Sequence, residues 1–317
     1  MSSADRLKIF TGTVHRQLAE ELCAELGQPL GSAYVGKFPD GEIDVKINDD
    51  VRGADVFLIQ PTCPPVNESL MELLLLIDCC VRASADRVTA VIPYFGYARK
   101  DRKDEGRVPI SAKLVANMIV AAGADRVLTI DLHAAQIQGF FDIPVDHLYA
   151  KPVFVEYLQS IELQNPVIVA PDVGSIRMAR AYAQSLGGTL AIVDKRRHSA
   201  DNTTVENLIG DVRGRDVVMM DDMISTGGSI SEAAKTVKSF GCGRIYLGAT
   251  HPVLCGAATE KLKAAPIEEV VVANTIPIEP AKRFERLRVR SVAPLLARAI
   301  DRIHRRASVS ALFDLKK

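Results

Sequence analysis

The sequence has no excess of charge of either sign: 39 Lys and Arg stand against 39 Asp and Glu in 317 residues. A histone-like or generally basic nucleic-acid binder is not indicated, and no RRM, KH or dsRBD signature is present. Long apolar runs are missing too. The most apolar stretch, 70–81, is broken by Glu72 and Asp78 and falls short of the ~20 residues that span a bilayer. The opening MSSADRLKIF lacks the apolar core of a secretory signal, so a cytoplasmic location is expected. Cysteine is sparse: Cys23, Cys63, Cys79, Cys80, Cys242 and Cys255 include no CxxC pair and read as free thiols of a reducing cytosol. Two phosphate-binding signatures are also absent, the GxxxxGK[ST] of a P-loop and a GxGxxG after the first strand.

What is present is an enzyme-like composition, 48% hydrophobic and 25% charged, which excludes overall disorder. The length fits two domains at ~150 residues each. Short β-branched runs recur at 56–59, 88–92, 127–130, 167–170, 190–193, 217–220, 245–249 and 270–273. Most lack polar alternation, as strands covered on both faces do. Helical periods lie between them at 15–26, 67–83, 111–121, 176–186 and 229–240, and Gly27, Gly123, Gly187 and Gly241 supply stops. Such alternation predicts an α/β fold with mainly parallel sheets.

An internal echo refines this. FTGTVHRQLAEELCAELG begins at Phe10, and APDVGSIRMARAYAQSLG begins 160 positions later at Ala170. GADVFLIQPT from Gly53 meets GRDVVMMDDM from Gly214, and DRVTAVIP from Asp86 resembles GRIYLGATHP from Gly243. Three matches in one order predict a duplicated domain of about 150 residues, here 1–147 and 148–317. Asp221 and Asp222 of the second copy fall where the first has Gln60 and Pro61. The second copy is thus expected to carry the anion and hydroxyl site, leaving the first for scaffolding or a second substrate.

The strongest local feature is VVMMDDMISTGGSISEA, starting at Val217. A buried strand ends in two carboxylates, then a small-residue loop opens a helix. Backbone N–H groups and hydroxyls of Thr226, Gly227, Gly228 and Ser229 can cradle a phosphate, while Asp221 and Asp222 suit sugar hydroxyls, directly or through Mg²⁺. A tight turn with a helix cap leaves the acidic pair unexplained. In TIDLHAAQIQGFF, Asp131 and His133 sit just past a strand, where α/β ligands bind; His133 is a candidate metal ligand or a surface histidine. In APDVGSIRMAR, Asp172 can hold a metal or diol, or cap the helix that Gly174 and Ser175 open. In IVDKRRHSADNTT, Lys195, Arg196 and Arg197 leave a strand for a polar loop, which is a solvated segment or, beside phosphates, a lid. YFGYARKDRKDEGRVPISAK sets Arg99, Lys100, Arg102, Lys103 and Arg107 beside Asp101, Asp104 and Glu105, as an anion-contact surface or a solvated loop. GKFPDGEIDVKI reads as a β-hairpin around Pro-Asp-Gly. The cation-rich stretch 282–306 reads as a solvated or intersubunit helix face.

Taken together, FPDGE, YARKDRK, RVPISAK, DLHAAQIQGFF, PDVG, DKRR, DDMISTGG and THPVLCGA with NTIP resemble, in order and over nearly the whole chain, the ribose-phosphate diphosphokinase family in its phosphate-responsive class. The resemblance implies two tandem phosphoribosyltransferase-like domains and transfer of the diphosphoryl group of ATP to ribose 5-phosphate, with Mg²⁺. It implies phosphate activation, ADP inhibition and a homohexamer built from dimers, with no nucleic acid or membrane partner. Asp221 and Asp222 would face the ribose hydroxyls, and Ser225, Thr226, Gly227, Gly228 and Ser229 would hold the 5-phosphate. Asp172, Gly174 and Ser175 would lie at the diphosphate, with His133 and Asp172 on the metal. Phe38, Asp40, Glu42, Arg99, Lys100, Asp104 and His133 would serve ATP, the hairpin residues reaching the adenine from a neighbouring subunit. Lys195 and Arg197 would be the catalytic cations on a flexible loop. Arg107 and Ser111 would belong to the regulatory phosphate site.

Four positions depart from the family pattern: Ser225 where Asp is common, Ser229 for Thr, Ser175 for Gly, and Lys100 for Gln. None removes an implied metal ligand or the Lys195/Arg197 pair. Two other readings compete: a phosphoribosyltransferase that consumes phosphoribosyl diphosphate, and a non-catalytic associated subunit of similar fold.

Overall fold

The computed structural model describes residues 6–172, 174–198 and 203–312; the side chains of 194–198, 203–206 and 311 lie outside that description. The chain forms two compact units.

The first unit holds β1 (Leu7–Thr11), α1 (Arg16–Leu26), β2 (Ala33–Lys37), β3 (Ile43–Ile47), β4 (Asp55–Ile59), α2 (Val66–Arg82), β5 (Arg87–Ile92), α3 (Ser111–Ala121), β6 (Arg126–Ile130) and β7 (Val145–Leu148). Its five-stranded sheet runs β1-β4-β5-β6-β7, every pair parallel. Every residue of β4 is buried, which is why DVFLI shows no polar alternation. Leu73, Leu76 and Ile77 of α2 and Val115, Ala116 and Ile119 of α3 cover the strands. Gly27 closes α1 in the left-handed region at φ 61°, as a C′ glycine should. The 36–47 segment is the expected hairpin: β2 and β3 pair antiparallel, and Phe38 donates its N–H to the Glu42 carbonyl across the turn. The sequence reading did not foresee β1 and the short β7.

The second unit holds α4 (Lys151–Gln159), β8 (Val167–Ala170), α5 (Ile176–Leu186), β9 (Thr189–His198), β10 (Thr203–Ile209), β11 (Val217–Ile224), α6 (Gly228–Ser239), β12 (Ile245–Pro252), α7 (Ala258–Ala264), β13 (Glu269–Ala273) and β14 (Leu287–Arg290). The sheet order is β10-β9-β8-β11-β12-β13-β14, parallel apart from the β9–β10 hairpin. Its central run, β8-β11-β12-β13-β14, repeats the order of β1-β4-β5-β6-β7, strand for strand. Each unit also inserts a hairpin between its first and second core strands in chain order, joined to the main sheet in the second unit and separate in the first. The echo at 160 positions is therefore a repeated topology.

The last helix, α8 (Ala293–His304), belongs to the first unit, although it follows the second in the chain. Leu295, Leu296, Ile300 and Ile303 are buried, and the helix packs against α1. Asp55 binds Arg87 bidentately, at 2.8 and 2.5 Å, and meets His304 Nδ1 at 2.7 Å; Arg87 also donates to the Ile303 carbonyl at 3.1 Å. The cation count of 282–306 points to a solvated face, but the apolar stripe that interrupts those cations is core. Among the described residues, no helix is long and apolar enough to cross a membrane.

Candidate active site

In the second unit β11 is buried through Met220 and then continues, half-buried, through Asp221, Asp222 and Met223. The acidic pair is therefore held on a rigid strand, since Asp221 and Met223 pair with Ala249 and His251 of β12. Asp221 Oδ1 accepts the Asp222 backbone N–H at 2.9 Å. Burial pushes the Asp221 carboxyl well above the usual carboxylate range, and the charges of Asp222 and then Asp172 push the same way. The Asp222 carboxylate thus adds to the burial penalty on Asp221, with Asp172 a smaller contributor, and hydroxyl donors or a cation would relieve it.

The loop after β11 is shaped by its backbone. Gly227 lies at φ 69°, and a Cβ there would stand 3.3 Å from the Ala258 carbonyl oxygen. Glycine is what lets the loop turn into α6 so closely against α7. No side chain caps α6 at Gly227, and Thr226 and Ser229 on either side of the Gly227-Gly228 turn are exposed. Ser225 Oγ lies 3.5 Å from Cys255 Sγ, and the Cys255 N–H donates to the Ser225 carbonyl. The sequence reading missed this contact; Cys255 carried no signal beyond its place in THPVLCGA.

The loop before α5 is closed on itself by Asp172 and Ser175, and no side chain caps the helix at Ser175. Asp172 Oδ1 accepts the Ser175 N–H at 2.9 Å, and Ser175 Oγ donates to the Asp172 carbonyl. Asp172 and Gly174 remain exposed, whereas Ser175 is buried.

The cationic segment differs from the expected loop. Lys195, Arg196 and Arg197 lie in β9, with the Lys195 backbone paired to Glu206 and that of Arg197 to Thr204 of β10. The β-branched Thr203, Thr204 and Val205 on the facing strand favour this hairpin. The tip, 199–202, lies outside the described residues.

In the first unit two loops meet at the C-terminal ends of β5 and β6. Asp101 accepts from Gln136 at 2.7 Å, and Lys113 donates to the Phe140 carbonyl at 2.7 Å. Phe95 and Phe141 pack edge to face. The loop holding Arg99, Lys100, Asp104 and Arg107 is thereby tied to the one holding His133. Lys100 grips Asp104 at 2.8 Å, Ser111 Oγ donates to the Tyr97 carbonyl, and Arg99, Arg107 and His133 are exposed. On the hairpin Phe38, Asp40 and Glu42 are exposed, and Lys37 anchors it to Glu68 of α2 at 2.6 Å.

No group of three or more His, Cys, Asp or Glu suited to a metal ion occurs among the described residues. Mg²⁺ is ordinarily held by one or two carboxylates together with phosphates and water, and Asp172 and the Asp221–Asp222 pair fit that pattern.

Two tandem parallel α/β domains, the second bearing an acidic pair before a glycine loop, define a phosphoribosyltransferase-like enzyme. The family model for the N-terminal domain of ribose phosphate pyrophosphokinase matches residues 7–123, and that for the phosphoribosyl synthetase-associated domain matches 197–314. A ribose-phosphate pyrophosphokinase of Rhodopirellula baltica is 57% identical over 97% of this chain and 98% of its own length. One from Wolinella succinogenes is 52% identical over 96% and 98%. The crystal structure of a Mycobacterium smegmatis phosphoribosylpyrophosphate synthetase superposes with a TM-score of 0.90 at 41% identity, covering 95% of this chain and 100% of that one. The chain belongs to the ribose-phosphate pyrophosphokinase family and is an enzyme of it.

Proposed function

We propose that the chain transfers the diphosphoryl group of MgATP to the C1 hydroxyl of ribose 5-phosphate, giving 5-phospho-α-D-ribose 1-diphosphate and AMP. The observation that carries this reading is the Asp221–Asp222 pair, held at the end of a buried strand and followed by the Gly227 turn and the uncapped start of α6. Such a site suits sugar hydroxyls on one side and a phosphate on the other. In the transfer, the C1 oxygen forms a bond to the β-phosphorus and the bond from that phosphorus to the bridging oxygen breaks. AMP departs with that oxygen, and the hydroxyl proton passes to solvent.

Asp221 and Asp222 orient the ribose ring, and Ser225, Thr226, Gly227, Gly228 and Ser229 hold the 5-phosphate. Good orientation is worth ~7–11 kcal/mol. Asp172, Gly174 and Ser175 receive the diphosphate; Asp172 would hold metal there, and His133 would hold metal beside ATP. When bound there, Mg²⁺ would offset the negative charge of the phosphates. Lys195 and Arg197 meet charge that develops on the transferring group. Phe38, Asp40, Glu42, Arg99, Lys100 and Asp104 hold ATP, the hairpin acting on a neighbouring copy in a homohexamer. Arg107 and Ser111 belong to a regulatory site where inorganic phosphate activates and ADP inhibits. The enzyme acts in the cytoplasm.

Purified protein given MgATP, ribose 5-phosphate and phosphate should form AMP and phosphoribosyl diphosphate in equal amounts. Consumption of phosphoribosyl diphosphate with a nucleobase instead would identify a phosphoribosyltransferase, and no turnover in either assay would identify an associated subunit.

A further inference from the structure

The repeated topology places two loops in equivalent positions: 12–15 after β1 in the first unit and 171–175 after β8 in the second. Gly12 corresponds to Asp172 at the offset of 160, and Gln60 to Asp221 at 161. In the second copy of this place Asp172 and Gly174 are exposed. The first is filled from within.

Glu72, on α2, is only 6% exposed and reaches the loop directly. Its Oε2 accepts the Thr13 backbone N–H at 2.9 Å and its Oε1 the Thr13 hydroxyl at 2.7 Å. Gln60 Nε2 donates to Oε2 at 2.8 Å and to the Ser69 carbonyl at 3.3 Å. Gln60 is fully buried, and its Oε1 has no hydrogen-bond partner. A Cβ on Gly12 would lie 2.6 Å from both Gln60 Oε1 and Glu72 Oε2, so the loop backbone rests directly on this pair. A backbone N–H, a hydroxyl and an amide N–H converging on one buried carboxylate are the donors of an oxyanion cradle.

We infer that the first unit retains an oxyanion site in the 12–15 loop and that the carboxylate of Glu72 is its permanent occupant. The first unit is thereby closed to phosphates at this place. Removing the carboxylate leaves a buried cradle that takes a small carboxylate or similar oxyanion from solution. The parallel with the second unit rests on reading 172–175 as a diphosphate loop; the anion role of Glu72 does not, and folding tests it independently of AMP formation.

Glu72→Ala in the full chain should fold poorly in chloride. Sodium formate or acetate at matched ionic strength should restore thermal stability or refolding yield saturably, with no comparable gain in wild type. Glu72→Gln keeps the volume but loses the charge; its folding constant should drop at least tenfold, without formate rescue because the cradle stays filled. The inference is overturned if Glu72→Ala responds to formate and acetate no more than to chloride. If Glu72→Ala folds in none of these salts, Glu72→Gln decides alone, and wild-type stability there overturns it.

Discussion

Asp221 Oδ1 accepts the backbone N–H of Asp222 at 2.9 Å, yet this hydrogen bond does not bring the Asp221 carboxyl back to the ordinary range. Burial and the neighbouring charges outweigh it. In the absence of ligand, this strand end is electrostatically frustrated, and that is the property a hydroxyl- or cation-binding site needs.

Stability without ligand should therefore depend on pH at this residue. The folded-state pKa lies above its unfolded value of ~3.9, so the folded protein holds the extra proton and the contribution is complete below that range. It is lost as pH rises through the folded pKa. Asp221→Asn should raise neutral-pH stability by ~1 kcal/mol, or about 2–4 °C in Tm, and flatten its fall between pH 6 and 8. Calorimetric melts at both pH values check this, and titration with ribose 5-phosphate should show binding lost.

Lys195→Ala should lower kcat by ~10²–10³-fold or more while ribose 5-phosphate still binds, because a cation meeting transition-state charge contributes little to ground-state binding. Steady-state rates and calorimetric titration check it. A near-normal kcat would remove Lys195 from the transfer step.

Thiol reactivity should divide the six cysteines. Burial pushes Cys63 and Cys80 up to about 12 and Cys23 to about 11, and Cys242 is raised by burial as well. Only Cys79 and Cys255 are partly exposed. A chromogenic disulfide reagent at pH 8 should modify two thiols rapidly and the others only on unfolding. Ribose 5-phosphate should protect Cys255, which touches Ser225, and leave Cys79 unaffected.

Asp55→Ala should strand Arg87 and His304 beside the base of β4. Breaking a buried charged cluster of this kind costs ~3–5 kcal/mol. Urea melts should show that loss, and proteolysis should cut first near α8, whose end depends on the cluster.

Much of the architecture is local in origin. Helices 111–121 and 176–186 match their apolar periods, and Gly187 ends the second at φ 64°. The eight β-branched runs all lie in strands; most are apolar along their length because they are covered on both faces, while 190–193 alternates buried and half-buried. The strands that escaped notice lie towards sheet edges, where sequence is less constrained: β7 is half polar, with Asp146 and His147, and β14 alternates Leu287, Arg288, Val289 and Arg290. The acidic pair and its glycine loop were legible because both are contiguous. Cys255 beside Ser225 and Gln136 on Asp101 join distant segments, so spacing could not show them.

By itself, the sequence determined a duplicated, mainly parallel α/β chain with the acidic pair and its glycine loop in the second copy, since periodicity, glycine stops and contiguous motifs depend on neighbours in the chain. Only the tertiary structure decided that α8 returns to the first unit, that the 195–197 cations lie in a strand, and that Glu72 fills the first copy's loop. Each of these depends on which buried surfaces and charges meet across long stretches of chain, and such meetings leave no period in the sequence.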